Sequence, residues 1–464
     1  MMWTSAMGRM VRGAPWLLLT ALATAPAVVQ AQALTLRDAL GRADEAAFAN
    51  RIAAGQTAAQ AGQALAPYRG ILPSIRIESG YLRTTDPLNA FGFTLRQRAV
   101  TPAAFAPSRL NDPNAIGNLM TGVVVEQPLF NADAWLGRKA AAHVSQASAA
   151  QEQWIRSGTA VEVVRAYWGA VLATEQERML RSALAAAYSH VRQAESLVRQ
   201  GMATRSDALL AAVKAGEVEA MLLSAANQAR LARQGLALLM GDPADSAFTL
   251  PTALPTAVQV QLAGARTSTD GIAANLRPDV AAAELARDAA GADARRDAAL
   301  YLPRLNAFGR LEWNAPTAPF GGSSAWTLGV MLSWSPFAGA SELAEIRTAR
   351  GRRTAAGAMA EAAEAQAGLD LSRTRDAVPL AVARMEIAGR GVAQAIEAHR
   401  IVGRKYEGGL ATVTELLDAA AVETAAALGD VAARYEAIVA MAEMRRAQGL
   451  DLSPLQDLEP QVIQ

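Results

Sequence analysis

Cysteine is absent from the chain's 464 residues, and histidine occurs only three times. The first absence removes disulfides, thiolate metal ligands, a thiol nucleophile and a thioether-linked lipid, so stability has to come from packing or assembly. His143, His190 and His399 stand apart on predicted helices. No His-Glu-x-x-His, phosphate-cradling Gly-Lys loop or serine-nucleophile turn is present. The expectation is a protein that is not an enzyme and carries neither metal nor cofactor. Neither sign of charge is in excess, with 44 Lys and Arg against 43 Asp and Glu, so nothing in the balance draws the chain to nucleic acid. Beyond residue 33 no run of about 18 or more apolar residues remains, which excludes inner-membrane helices and leaves strands as the means of meeting a membrane. Aromatic residues are scarce too, 5% of a chain that is 52% hydrophobic, so the apolar content is mainly Ala, Leu and Val, as long helices prefer.

The chain begins like an export signal. Arg9 and Arg12 give a weakly basic start, "APWLLLTALATAPAVV" is an apolar core too short to serve securely as a membrane span, and "AQA" at residues 31–33 fits small-x-small cleavage after Ala31 or Ala33. Residues 1–33 are therefore expected to be a signal peptide.

What remains says nearly the same thing twice. "GMATRSDALL" starts at Gly201 and "GLATVTELLD" at Gly409. Each phrase follows a long stretch with helical spacing of apolar residues, residues 131–200 and 340–406, and each precedes a shorter one. Glycine is a helix stop and Ser206 or Thr414 a candidate cap, so the phrase reads as the turn of an antiparallel helical hairpin. Pro379 is expected to kink the second long helix.

The far ends of the long helices change period. "LPSIRIESGYL" and "LPRLNAFGRLEW" alternate, and "WTLGVMLSW" sets Trp326, Leu328, Val330, Leu332 and Trp334 on one face. Apolar rows with aromatic ends, including Tyr81 and Trp313, are the pattern of lipid-facing strands with an aromatic belt. "TGVVVEQPLF" alternates poorly, but Phe130 matches Phe337 at an offset of 207, whereas Pro73 matches Pro303 at 230, so the first inter-strand loop is 23 residues longer. That loop, roughly residues 83–118, is expected to be exposed and irregular. The expected organisation is repeat 1 over residues 34–240, a connector over 241–272, repeat 2 over 273–448 and a tail over 449–464. Each repeat contains a helix, a β-hairpin, a long helix and a returning helix.

Two helix-hairpin-helix copies, "RPDVAAAELARDAAGADARRDAALYLPRL", the strand exit "SWSPF" and the paired "GMAT" and "GLAT" turns together resemble the TolC-like outer-membrane efflux proteins, across nearly all of the chain beyond the signal. The resemblance implies a mainly α fold with a membrane β part: a long antiparallel α-helical barrel continuous with a homotrimeric 12-stranded β-barrel, four strands per chain. It implies an outer-membrane duct reaching into the periplasm, joined by a periplasmic adaptor protein to an inner-membrane transporter. The strand count agrees independently, because four strands cannot close a barrel and open edges are not tolerated in lipid. The resemblance also implies adaptor-docking tips at Gly201, Met202, Ala203, Thr204, Gly409, Leu410, Ala411 and Thr412, and a periplasmic gate at Asp207, Tyr406, Glu415 and Asp418. Ala411 stands where the pattern has an arginine, which removes a salt bridge from that gate. For Glu415 and Asp418 a helix-dipole role competes with a lumen-facing one, and for Tyr406 packing within the hairpin does. Efflux duct, type I secretion duct and periplasmic coiled-coil scaffold are the readings in competition.

Overall fold

The computed structural model describes residues 32–269, 277–337 and 339–458. The expected signal peptide lies almost wholly outside them. Two helices dominate: α5 (Ala132–Arg199, 68 residues) and α9 (Ser341–Glu407, 67 residues). At 1.5 Å per residue each is about 100 Å long. Each folds back through a tight turn into a 35-residue partner, α6 (Arg205–Leu239) and α10 (Val413–Ala447). Shorter helices α2 (Phe48–Gln63) and α8 (Pro278–Ala299) lead into the strands and pack on α5 and, for α8, on α9 as well. The helix of α9 is unbroken at Pro379, which lies exposed within it.

Helices this poor in large side chains need a local core, and it lies where α1 (Leu36–Ala46) and α7 (Ala257–Thr269) wrap the bundle. Tyr167 and Trp168 of α5, Leu236 of α6, and Ile438 and Met441 of α10 are fully buried there. The Tyr167 hydroxyl donates to the Leu34 carbonyl at 2.9 Å. Beside it, β1 (Gln32–Ala33) pairs in parallel with β4 (Phe248–Thr249), tying the N-terminal segment to the stretch between the repeats. The "RPD" motif has a structural use: Arg277, 2% exposed, bonds Asp279, Asp370 and the Ala367 carbonyl, fastening the start of α8 to α9. Its guanidinium and that of Arg446 lie 4.6 and 3.9 Å from the ring of Trp154, so cation–π contacts join α5, α8 and α10.

The other strands form one antiparallel sheet in the order β2 (Ser74–Thr84), β3 (Ile116–Phe130), β5 (Arg304–Ala315), β6 (Ser323–Ser333). Among the described residues both outer strands, β2 and β6, keep an unpaired edge in the single chain. The segment between β2 and β3 differs from expectation. It carries α3 (Pro87–Arg96), which packs on β3, a 3-10 turn over Pro102–Phe105 and α4 (Pro107–Asn111). Asp86 caps α3 by accepting from the Asn89 amide at 2.8 Å, and Pro87 occupies the first helical position, where its missing N–H costs nothing.

Candidate functional site: sheet faces and hairpin tips

Register sorts the sheet into two unlike faces. Ile77, Val123, Leu311 and Trp326 lie side by side across the four strands, as do Ile75, Val125, Gly309 and Leu328. One rung over, on the opposite face, Arg76, Val124, Arg310 and Thr327 are aligned, followed by Glu78, Gly122, Glu312 and Ala325. The second face is laced by ion pairs: Arg76–Glu78 at 3.4 Å, Arg310–Glu78 at 3.6 Å and Arg310–Glu312 at 3.3 Å.

On the apolar face Trp326 is 77% exposed and Leu328, Val330 and Leu332 are likewise open. Monomeric proteins in water rarely leave such a patch uncovered. Trp334, just past the helix-side end of β6, is exposed and donates from Nε1 to the Tyr301 carbonyl at 3.0 Å. Tyr81 is exposed near the opposite end of β2. Trp313 is half-buried, its ring edge-on to Phe320 at 5.4 Å between centroids.

At the other end of the molecule the two turns are built alike. Gly201 (φ +73°) and Gly409 (φ +74°) take the left-handed conformation that ends a helix without a Cβ clash. Amides of Gly201 and Met202 donate to the carbonyls of Val198 and Leu197, and those of Gly409 and Leu410 to Tyr406 and Lys405. Three residues later the chain enters the next helix through a capping box. Thr204 accepts from the Asp207 amide while the Asp207 carboxylate accepts from the Thr204 amide at 2.9 Å; Thr412 and Glu415 repeat this, the latter contact at 2.6 Å. The caps are thus Thr204 and Thr412, not Ser206 and Thr414, because only they have an acid three residues on. Met202 (65% exposed) and Leu410 (81%) point outward at the two turns, with Ala203 and Ala411 half-buried behind them.

One small cluster joins the two tips. Ala194, Ala211, Tyr406, Val413, Leu416 and Leu417 bury one another across α5, α6, α9 and α10. Tyr406 is therefore packed between the hairpins. Its buried hydroxyl makes no hydrogen bond, and burial, then the charge of Asp207, raises its pKa. Glu415 is exposed, but its carboxylate is committed to the cap, and the Thr412 amide and hydroxyl hold its pKa below the usual carboxylate value. Asp418 is exposed on α10, and its charge acts on Lys214 of α6. Of the four expected gate residues, the fold thus brings Asp207 beside Tyr406 and leaves the carboxylates of Glu415 and Asp418 at the surface of α10.

Sequence reasoning missed a contact a few turns above the tips. The rings of His190 (α5) and His399 (α9) meet at 5.8 Å, and His399 Nδ1 bonds Glu423 of α10. Burial, then His399, holds the His190 pKa down. No spacing pattern connects residues so far apart. Among the described residues no group of His, Asp and Glu is arranged to hold a metal ion, and no helix is long and apolar enough to cross a membrane.

In structure, the chain resembles VceC, an outer-membrane protein of Vibrio cholerae, with a TM-score of 0.73 and 19% identity over 89% of this chain and 96% of that one. A membrane protein from Pseudomonas aeruginosa gives 0.74 and 20% over 89% and 93%, and the CmeC outer-membrane channel of Campylobacter jejuni 0.73 and 16% over 89% and 85%. Among curated proteins none matches. In sequence, the model of the family described as "Outer membrane efflux protein" matches residues 45–242 and 271–450, the spans that hold both hairpins and the whole sheet. The chain belongs to the outer membrane efflux protein family.

Proposed function

We propose that three copies of this chain form the exit duct of a tripartite efflux pump, with the sheets closing into a 12-stranded barrel and the long helices into a tunnel below it. The observation that carries this reading is the sheet: two unpaired edges, one apolar aromatic-ended face and one ion-paired face. In hydrocarbon every backbone group needs a partner, so such a sheet has to find its edges in other copies. The polar face then lines the lumen and the apolar face meets lipid. Membership of an efflux family makes the protein a conduit and not an enzyme.

The duplicated tips have their place in the same scheme. Three chains bring six similar turns to one ring, each with an exposed apolar residue, Met202 or Leu410, flanked by the small residues Gly201, Ala203, Gly409 and Ala411 and by Thr204 and Thr412. Small residues allow helical hairpins to approach closely, which suits docking of a periplasmic adaptor that links the duct to an inner-membrane transporter. Asp207, Tyr406, Glu415 and Asp418 are proposed to narrow the periplasmic mouth. Six carboxylates from Glu415 and Asp418 about one axis would concentrate cations there, as acidic rings do in other pores. Single-channel recording in planar bilayers tests this. The purified protein should conduct, favour cations and be blocked by multivalent cations from the tip side; Glu415→Gln with Asp418→Asn should weaken block and selectivity while leaving assembly intact. Unchanged block in that variant would put these side chains outside the lumen.

A further inference from the structure

The segment between β2 and β3 does not stay outside the sheet. The C-terminal end of α3 reaches over the polar face: Arg96 Nη1 lies 3.5 Å from Glu312, and Gln97 Nε2 donates to the Gly117 carbonyl and to Asn118 Oδ1, both at 2.9 Å. Glu312 is several rungs inside the sheet, paired with Gly122 and Ala325. Beneath Gln97, Asn118 donates to Asn314 at 2.8 Å, and both asparagines are 2% exposed although they belong to the face that should carry water. Phe93 and Ala90 of α3 are buried as well. The chain leaves α3 through Arg98 at φ +54°, a left-handed conformation that a non-glycine residue adopts at a cost, held here by the bond from Arg98 Nη2 to the Ser324 carbonyl at 3.2 Å. The helix is therefore anchored, not draped.

We propose that α3 is a constriction of the duct's outer mouth, which sets the size of what can pass there; the proposal rests on the reading of the sheet as a barrel wall. The dimensions support it. Twelve strands about 4.8 Å apart and tilted about 40° enclose a radius of roughly 12 Å. A helix with its side chains is about 10 Å across, so three copies of α3, one per chain, fill most of that opening. Leu88 and Leu95 stay exposed on α3 and give the passage an apolar lining.

The cysteine-free chain makes a direct test possible. Thr327→Cys puts a lone thiol on the polar face below α3, and Leu328→Cys puts one on the apolar face. Intact cells producing either variant are treated from outside with two membrane-impermeant thiol reagents, one small and one bulky. At Thr327→Cys the small reagent should react and the bulky one should react at least about tenfold more slowly, as a narrowed pore requires. Adding Arg96→Ala and Gln97→Ala should release α3 and bring the bulky reagent close to the rate of the small one. A second form, Arg96→Cys with Glu312→Cys and Thr327→Cys, joins α3 to β5 by a reducible cross-linker; with labelling read at residue 327 by peptide mass mapping, because reduction also frees the thiols at 96 and 312, the bulky reagent should reach that position only after reduction. Equal labelling by the bulky reagent with α3 anchored, released or cross-linked overturns the constriction and leaves the barrel standing. Labelling of Leu328→Cys as fast as Thr327→Cys overturns the barrel itself, and the constriction with it.

Discussion

One threonine and one acid decide how each tip is built. At the second tip Thr412 accepts from the Glu415 amide at 3.2 Å and Glu415 answers through the Thr412 amide, so Glu415 has a structural duty whatever it faces. Its lowered pKa means that this contribution is present above the ordinary carboxylate value and is lost as pH falls through the folded one. Capping and charge can be separated, because glutamine also completes a capping box. Thr412→Ala should cost about 1 kcal/mol and fray the first turn of α10, whereas Glu415→Gln should leave that turn protected. Hydrogen exchange of the α10 N-terminus measures both, and equal loss of protection in the two variants would contradict this separation. The cap was readable in the sequence, since "TRSD" and "TVTE" each set an acid three residues after a threonine. The neighbouring Ser206 and Thr414 obscured it. The partnering of His190 with His399 was not readable, because packing of α5 against α9 and α10 creates it.

At the scale of elements, the strands and long helices announced themselves through period. Alternation placed Trp326, Leu328, Val330 and Leu332 together, and the register agrees. The hairpins followed from one phrase stated twice. The loop after β2 was harder. "NDPN" and its prolines suggested irregular chain, yet Asp86 and Pro87 begin a helix properly with a cap and a first-position proline. Its docking on Glu312 and Asn118 depends on contacts more than 20 residues away in sequence, which no local pattern encodes. Strand register itself makes a sharp prediction. Val330→Arg should destabilise the assembled barrel by about 2–4 kcal/mol if it lies near the bilayer midplane, and Ser333→Arg, on the polar face, by much less. Heat-resistance of the assembled form on unboiled gels compares them, and equal losses would mean that the two faces are misassigned.

Over the whole molecule, the sheet requires partners while the helical part already has its own core. The belt of α1, α7 and the β1–β4 pair clasps α5, α6 and α10 within one chain, whereas among the described residues no strand pairs with the outer edges of β2 and β6. An outer-membrane protein of this family cannot leave those edges in lipid, and the twist of four strands closes no barrel alone. Assembly is therefore the claim on which duct, tip ring and outer constriction all depend. Native mass spectrometry of the protein extracted from outer membranes in mild detergent tests it most directly. The account predicts a particle of three chains, each of 48.6 kDa less the mass of the expected signal peptide where that is removed. A particle of one or two chains, stable under conditions that keep the protein conducting, would contradict it.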